Sequence, residues 1–591
     1  MTVRAGMLTY LLALLLTACG EDKPKTLTLP NTTDRFINSG QLALSTATTP
    51  IPALETYWQK VQAALQQNPP VLALDNTQLS DSKAQTAQQL ALANPEFLKL
   101  TRDAKTGEAL RNEIMNVRPA LAGDFQGAMG ACAKTECYRV EMYNHFSNAS
   151  TIAFVDVSGQ KVLGVSVQHF AQPDLPPHLV ELASEIANHS TEVQAILGDA
   201  KRQPDKKNFK TALQDSMCER SHHLCVAPTY VFDNDALWAI VDLTDGKLIG
   251  TRWTELGSSG PKTVVTERSL ENETTFRNFC QKQNSLSQDG WSMDYVITGS
   301  DGLQLTNVKF KDQSVIKNVK LLDWHVSYSS REGFGYSDAI GCPMFSAAVV
   351  IAYNGPKTEP ILQNGQTVGF AVVQDFRQPP WPTPCNYRYE QRFEFYKDGR
   401  FRVAQADLGR GCGTDGMYRP VVRIDLDTTA FGQADNIAEW DGTQWLTWDK
   451  EQWRLQDNAK FTEQGYQYKI TGKNGRGYYI EPGRGQFGDG GRGDHAFTYI
   501  STYKPDEGEQ DTVTLGSCCN ADYKQGPEYF IEPAEPLANQ DLVFWYVPQM
   551  KNDGAADSEY CWADTQVKNG VQNIKVWPCY SGPMFVPVSQ P

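Results

Sequence analysis

Hydrophobic and polar positions along this chain follow two different rhythms. Apolar residues recur at helical spacing around 52–67 and 82–116, which predicts helices there. Two later runs alternate apolar and polar residues about a glycine-containing turn. One is Phe154-Val155-Asp156-Val157-Ser158-Gly159-Gln160-Lys161-Val162-Leu163-Gly164, the other Ile240-Val241-Asp242-Leu243-Thr244-Asp245-Gly246-Lys247-Leu248-Ile249-Gly250. Each predicts an antiparallel hairpin. A helical run containing Ala93-Asn94-Pro95-Glu96 precedes the first, and one containing Ala187-Asn188 and Glu192-Val193 precedes the second. A close cysteine pair separates helix from hairpin both times, so one unit is repeated, and two small α+β domains are expected over 81–200 and 201–272. From about 275 onward helical periodicity nearly vanishes. Short alternating strands at 326–328, 347–353, 367–374, 392–396 and 542–547 predict one large antiparallel β-sandwich over 273–591. The fold class is mainly β with small α+β domains.

The first residues carry a different signal. Arg4 precedes an apolar run over 7–16, too short to span a bilayer, and Leu16-Thr17-Ala18-Cys19 follows. A cation, a short apolar stretch and a small residue before the cut are the parts of a secretory signal. The cysteine after Leu-Thr-Ala resembles the bacterial lipobox, which implies a signal peptide over 1–19 and acylation of Cys19. Thr, Pro, Asn and Ser dominate 20–50, a tether that with the first helix makes up 20–80. The expected location is the bacterial cell envelope, lipid-anchored, in the outer membrane rather than the inner, facing periplasm or exterior. The expected partner is the bilayer reached through Cys19.

Net charge of -15 argues against nucleic acid or an anionic membrane surface as the main partner. Twelve cysteines remain besides Cys19, and an exported compartment lets them pair. Short spacings suggest Cys132 with Cys137 and Cys218 with Cys225; Cys518 and Cys519 are adjacent, so each is expected to pair elsewhere. His222 and His223 beside Cys218 and Cys225 look like a zinc cluster, but the first repeat has its cysteine pair without histidine, so a disulfide explains both copies. Gly490-Gly491-Arg492-Gly493-Asp494 reads as part of a flexible glycine-rich loop.

Several runs in order along 85–591 resemble the copper amine oxidases. Trp324-His325-Val326-Ser327-Tyr328 with Arg331-Glu332-Gly333 is similar to the strand entering that family's catalytic domain. Thr383-Pro384-Cys385-Asn386-Tyr387 resembles its Thr-x-x-Asn-Tyr signature, in which the tyrosine becomes topaquinone. Tyr389 to Val403, Arg423-Ile424-Asp425-Leu426-Asp427, Thr502-Tyr503-Lys504-Pro505-Asp506-Glu507 and Asp541-Leu542-Val543-Phe544-Trp545-Tyr546 resemble later strands. The resemblance implies two cystatin-like α+β repeats before an amine-oxidase-like sandwich, and a possible homodimer. It places Thr383, Asn386 and Tyr387 at the catalytic signature, with Tyr387 as quinone precursor.

That chemistry needs copper held by three imidazoles and a carboxylate that takes the α-proton of the amine. The resemblance places the paired histidines at 416 and 418, where this chain has Gly416 and Tyr418. The third belongs in 547–553, which has none, and His495 is the last histidine after Tyr387. Asp338 and Asp375 are the aspartates available between Gly333 and Thr383, and neither has the neighbours of the family's base. Arg388 follows Tyr387 where the family has an acid, a change in the field around any quinone. Tyr387 reads better as a sandwich-core tyrosine than as a cofactor.

In some members of the family, strands like those of Asp425-Leu426-Asp427 and Asp541-Leu542 hold a peripheral calcium through carboxylates and carbonyls. The resemblance makes these five residues a candidate Ca2+ site. The expected function is an envelope lipoprotein with an amine-oxidase-like fold, copper-free and non-catalytic, that binds a small-molecule or protein partner or serves structurally. The alternative is a primary amine oxidase using copper and a tyrosine-derived topaquinone.

Overall fold

A computed structural model describes residues 50–124, 132, 136–198, 202–209, 211–219, 222–232, 235–256, 267–328, 334–409, 411–428, 434–516 and 524–588. Cys19, the signal and most of the tether lie outside the described residues, as do Cys518, Cys519 and Arg331-Glu332-Gly333.

Helix α1 (Pro52–Leu65) begins on a proline in its first turn, where the missing amide costs nothing. It buries Leu54, Tyr57, Trp58, Val61 and Ala64 along one face. Helix α2 (Ser82–Leu92) starts at Asp81, whose carboxylate accepts from the Ala84 amide at 2.8 Å. The expected helix over 82–116 therefore ends early. Pro95 disfavours helical backbone at Asn94, and the Asn94 side chain accepts from the amides of Glu96 and Phe97 to set a turn instead. The apolar residues Ile114, Met115 and Val117 belong to a strand, Asn112–Pro119.

Both repeats form four-stranded antiparallel sheets in chain order. The first holds Asn112–Pro119, Cys137–Asn144, Ala149–Asp156 and Lys161–His169; the second holds Lys206–Phe209, Cys225–Phe232, Asp235–Asp242 and Lys247–Glu255. The two central hairpins share their details. Each shifts register at the same place, between Phe154 and Val155 or between Ile240 and Val241. Each turn is fixed by an aspartate, Asp156 accepting from the Gly159 amide at 2.8 Å and Asp242 from the Thr244 amide at 2.9 Å. Disulfides Cys132–Cys137 and Cys218–Cys225 stand at equivalent places. Helix α2 packs Ala84, Ala87 and Ala91 on the first sheet. Helix α3 (Pro177–Asn188) packs Leu179, Ala183 and Ile186 against Val226, Tyr230 and Leu237 of the second, where α1 joins it.

Beyond residue 280 two large sheets, of ten and twelve strands, stack face to face. Pairing among the described strands is antiparallel apart from the short pair Ile340–Gly341 with Val350–Ala352. The long strand Gln313–Tyr328 runs through the ten-stranded sheet beside Met417–Leu426. Trp324, Val326 and Tyr328 on its inner face share one core with Phe370, Phe376, Tyr389 and Phe393 from the other sheet. The strands expected at 367–374, 392–396 and 542–547 lie within Gln366–Arg377, Arg388–Tyr396 and Leu542–Val547. Trp238 of the second repeat enters the same core, stacked on Tyr336 with centroids 5.3 Å apart.

Candidate functional site

Tyr387 stands at the start of the strand Arg388–Tyr396, in a loop its own sequence ties down. The Asn386 amide donates to the carbonyls of Thr383 at 2.7 Å and Pro384 at 3.0 Å, so Thr383 and Asn386 shape the turn. Gln378 holds the Tyr387 backbone on both sides: its side chain accepts from the Tyr387 amide at 3.1 Å, and its amide donates to the Tyr387 carbonyl at 3.0 Å. Cys385 is joined to Cys412, which brings the loop 411–416 over the tyrosine ring.

The Tyr387 side chain is fully buried. Its hydroxyl lies 2.6 Å from that of Tyr328, and the Cys412 amide donates to both, at 2.8 Å to Tyr328 and 3.1 Å to Tyr387. Tyr336 packs edge-on to Tyr387 at 5.5 Å, and Tyr389 stacks at 5.9 Å. The Gly411 backbone presses on the pair. A Cβ there would lie 2.3 Å from a Tyr387 ring carbon and 2.4 Å from the Tyr328 hydroxyl. Burial pushes the Tyr387 phenol far up, only partly offset by Tyr328 and the Cys412 amide, so it stays neutral.

The positions matched to the paired copper histidines do border this cluster. A Cβ on Gly416 would lie 3.0 Å from both a Tyr328 ring carbon and the Tyr418 hydroxyl. Tyr418 is itself buried, its ring 6.5 Å from that of Tyr389. The stretch assigned to the third histidine arrives beside them, with Met550 paired to Tyr418 and the Asn552 amide donating to the Gly416 carbonyl at 3.0 Å. The donors gathered here are phenols and an amide. His325 shares a strand with Tyr328 but is three residues away, so it leaves the opposite face, where it meets Gln525 at 3.0 Å. His495 is bound to Asp457 at 2.6 Å. This donor set does not fit copper, which takes imidazole nitrogen.

The two aspartates of the stretch before Thr383 are both paired. Asp338 accepts from the Tyr389 hydroxyl at 2.7 Å, and burial pushes its carboxyl up to about 8. Asp375 is held between Arg377 and Arg388, the latter at 3.0 Å. Arg388 thus points away from Tyr387, with its guanidinium over Trp381 at 4.8 Å.

The second expected site lies on the outer face of the ten-stranded sheet. Asp425 sits near the end of Met417–Leu426, and Asp541 precedes Leu542–Val547. Lys317 bridges them: its ammonium is bonded to Asp541 and stands 3.8 Å from Asp425. Asp425, Asp427 and Asp541 each keep one buried carboxylate oxygen with no hydrogen bond. Burial pushes Asp425 up to about 7, with Arg423 and Lys317 opposing and Asp541 adding to the rise. The groups of three close potential ligands among the described residues do not include these three together. Leu426 and Leu542 are both buried side chains.

Sequence reasoning missed Tyr328 and Gly411 as partners of Tyr387, and Lys317 as partner of the acids. It also missed Glu113, Arg111 and His145 in the first repeat, a buried charged group with no motif to announce it.

No protein-family model and no curated protein matches this chain. Among solved structures it is similar to a copper-containing benzylamine oxidase from Hansenula polymorpha, at 13% identity and TM-score 0.47, covering 86% of this chain and 96% of that one. It is also similar to a lysyl oxidase from Pichia pastoris, at 12% identity and TM-score 0.39, covering 81% of this chain and 86% of that one. An amine oxidase from Aspergillus nidulans matches at 13% identity and TM-score 0.39, covering 86% of this chain and 88% of that one.

Proposed function

We propose that this protein is a lipid-anchored envelope protein whose amine-oxidase-like sandwich is a scaffold and does not oxidise amines. One observation carries the reading. Tyr387, the residue at the quinone position, is sealed by Tyr328, the Cys412 amide and the Gly411 backbone, with Gly416 and Tyr418 where the resemblance calls for imidazoles. A tyrosine that hydrogen-bonds in place and completes a core contributes to folding, and a cofactor without its metal chemistry has no route to form. The Leu16-Thr17-Ala18-Cys19 run supports the anchor, and Cys19→Ala is expected to release the protein from membranes.

The same reading includes a calcium ion at Asp425, Asp427 and Asp541, with carbonyls of Leu426 and Leu542 as further oxygen donors. The three carboxylate oxygens without hydrogen bonds support it. The ion would take over the charge that Lys317 now supplies. Its role would be to tie two strands together.

Metal analysis, a quinone stain and a peroxide assay on the purified full chain test the main reading. No stoichiometric copper, no stain and no peroxide from primary amines are expected. Copper near one equivalent per chain with peroxide release would overturn it in favour of a tyrosine-derived quinone oxidase.

A further inference from the structure

A cleft of about 630 Å3 lies between α1, α3, the start of Asn112–Pro119 and the chain at 72–78, extended to Asp75 and then turning. We infer that it binds a small organic cation, an ammonium on an apolar body, with the charge directed at Glu113. The inference names a site for the binding role proposed above and rests on that reading.

The cleft is firmly built. Helix α1 contributes Ala53, Tyr57 and Lys60, and α3 contributes His178, Glu181 and Glu185. Both sets have helical spacing and so share one face of their helix. The extended chain is fixed along the strand, the Leu72 amide donating to Asn112 and the Ile114 amide to Leu72, both at 2.9 Å. Gln88 grips both backbone groups of Leu74, at 3.0 and 2.9 Å.

Glu113 lies at its floor with only 2% of its surface exposed. Burial works against charge there, but Arg111 and then His145 outweigh it and hold the carboxyl well below its ordinary range. The Tyr57 hydroxyl, Arg111 Nε at 2.8 Å and His145 Nε2 at 3.1 Å all meet Oε1. Oε2 takes none of these bonds. That oxygen is not sealed from solvent: it opens to the cleft, where an ammonium can replace water on the ionised carboxylate. Arg111 does not supply that donor to a ligand, because its other nitrogens are committed to Tyr57 and to the carbonyls of Leu243 and Thr244.

The facing wall offers a neutral donor. Gln78 Oε1 accepts from the Asp75 amide at 2.9 Å, which turns the Gln78 nitrogen toward His178 Nδ1, also at 2.9 Å. Nδ1 therefore accepts, and the ring proton sits on Nε2. Burial lowers the His178 pKa, so the ring adds no second cation at neutral pH. Asp75, Glu113, Glu181 and Glu185 then face one amine, Lys60. Leu72, Leu74, Ile114 and Leu182 give the apolar wall for the body of the ligand. An anion would meet Glu113 head-on, and a neutral ligand would gain less from its charge than an ammonium does. A cleft of this size suits one small molecule.

Titration calorimetry of the full chain with hexylammonium at neutral pH and low salt is expected to show saturable binding. Hexanoate, with the same apolar length and opposite charge, is expected to bind at least tenfold more weakly. Glu113→Gln is expected to weaken hexylammonium at least tenfold. Ala53→Trp alters an exposed helix residue facing the cleft, fills the space without touching the core, and is expected to weaken binding as much with an unchanged melting temperature. If Glu113→Gln does not fold, Ala53→Trp decides alone. Absent hexylammonium binding, hexanoate binding as tightly, or binding unmoved by Ala53→Trp overturns the inference. Peroxide release in the same samples would instead sink the non-oxidising reading and leave the cleft to be judged by Ala53→Trp.

Discussion

The hydroxyls of Tyr328 and Tyr387 lie 2.6 Å apart and share one backbone donor, the amide of Cys412. The pair joins the two sheets of the sandwich, since Tyr328 ends a strand of one and Tyr387 introduces a strand of the other. Their hydrogen bonding is satisfied within the core, and this closure is what the proposed non-oxidising function rests on.

Tyr387→Phe removes one hydroxyl while Tyr328 keeps the Cys412 amide at 2.8 Å. The Tyr328 hydroxyl can then turn to that of Tyr336, 3.3 Å away, so the expected loss is about 1 kcal/mol. Urea unfolding of the two proteins measures it. Quinone staining is expected to be negative for both, and a stain present in the wild type and lost in the variant would contradict the proposed function.

Gly411→Ala should cost more than Tyr387→Phe, although it adds a single carbon. The new Cβ would come within 2.3 Å of the Tyr387 ring and 2.4 Å of the Tyr328 hydroxyl, and both rings are locked among aromatic neighbours. Overpacking of this kind costs about 1–3 kcal/mol. The urea midpoint should fall further for Gly411→Ala, and equal midpoints would mean that the 411–416 loop yields.

Disulfides should differ in worth according to the loop they close. Cys280–Cys342 spans 62 residues and Cys132–Cys137 spans 5. Loop entropy in the unfolded chain predicts about 4 kcal/mol for the first and about 2 kcal/mol for the second. Replacing each pair by serine and comparing unfolding free energies tests the ranking. A larger loss from the short loop would show that native contacts, rather than chain entropy, set the effect.

Local alternation made much of the fold legible. The two hairpins, the strand Leu542–Val547 and the short disulfides in each repeat were readable because their determinants lie within a few residues of one another. The helix expected over 82–116 failed at Asn94-Pro95, where turn chemistry overrode apolar spacing. Site partners were less legible because topology, not spacing, brings them together. Tyr328 and Tyr387 are 59 residues apart, and Lys317 and Asp541 are 224 apart. The sequence marked Tyr387 and the three aspartates but gave no sign that a phenol and a lysine would meet them.

The acids around Lys317 predict an unusual pH dependence. Asp425 is raised to about 7 by burial, with Arg423 and Lys317 lowering it less than burial raises it. Asp435, bonded to Thr428 and the Leu542 amide, is raised likewise by burial and then by Asp541. Between about pH 4 and 7 the folded protein keeps these protons while the unfolded chain has lost them, so stability falls as pH rises through that window. For Asp425 the slope is about 1 kcal/mol per pH unit. Other groups titrate nearby; His145, lowered to about 4 by burial, works in the opposite direction up to its ordinary value. The comparison that isolates the effect is therefore wild type against Asp425→Asn, which cannot ionise. The variant should melt at a similar temperature near pH 4.5 and at a higher one near pH 8, where the wild type bears the full cost of a buried carboxylate. Calcium should act on the same charge. Millimolar Ca2+ is expected to raise the wild-type melting temperature near pH 8, less near pH 5 where Asp425 is protonated, and little in Asp425→Asn. A wild type indifferent to calcium at both pH values would end the calcium proposal and leave Arg423 and Lys317 as the counter-charges of Asp425. A variant with no advantage near pH 8 would show that Lys317 already neutralises Asp425 there.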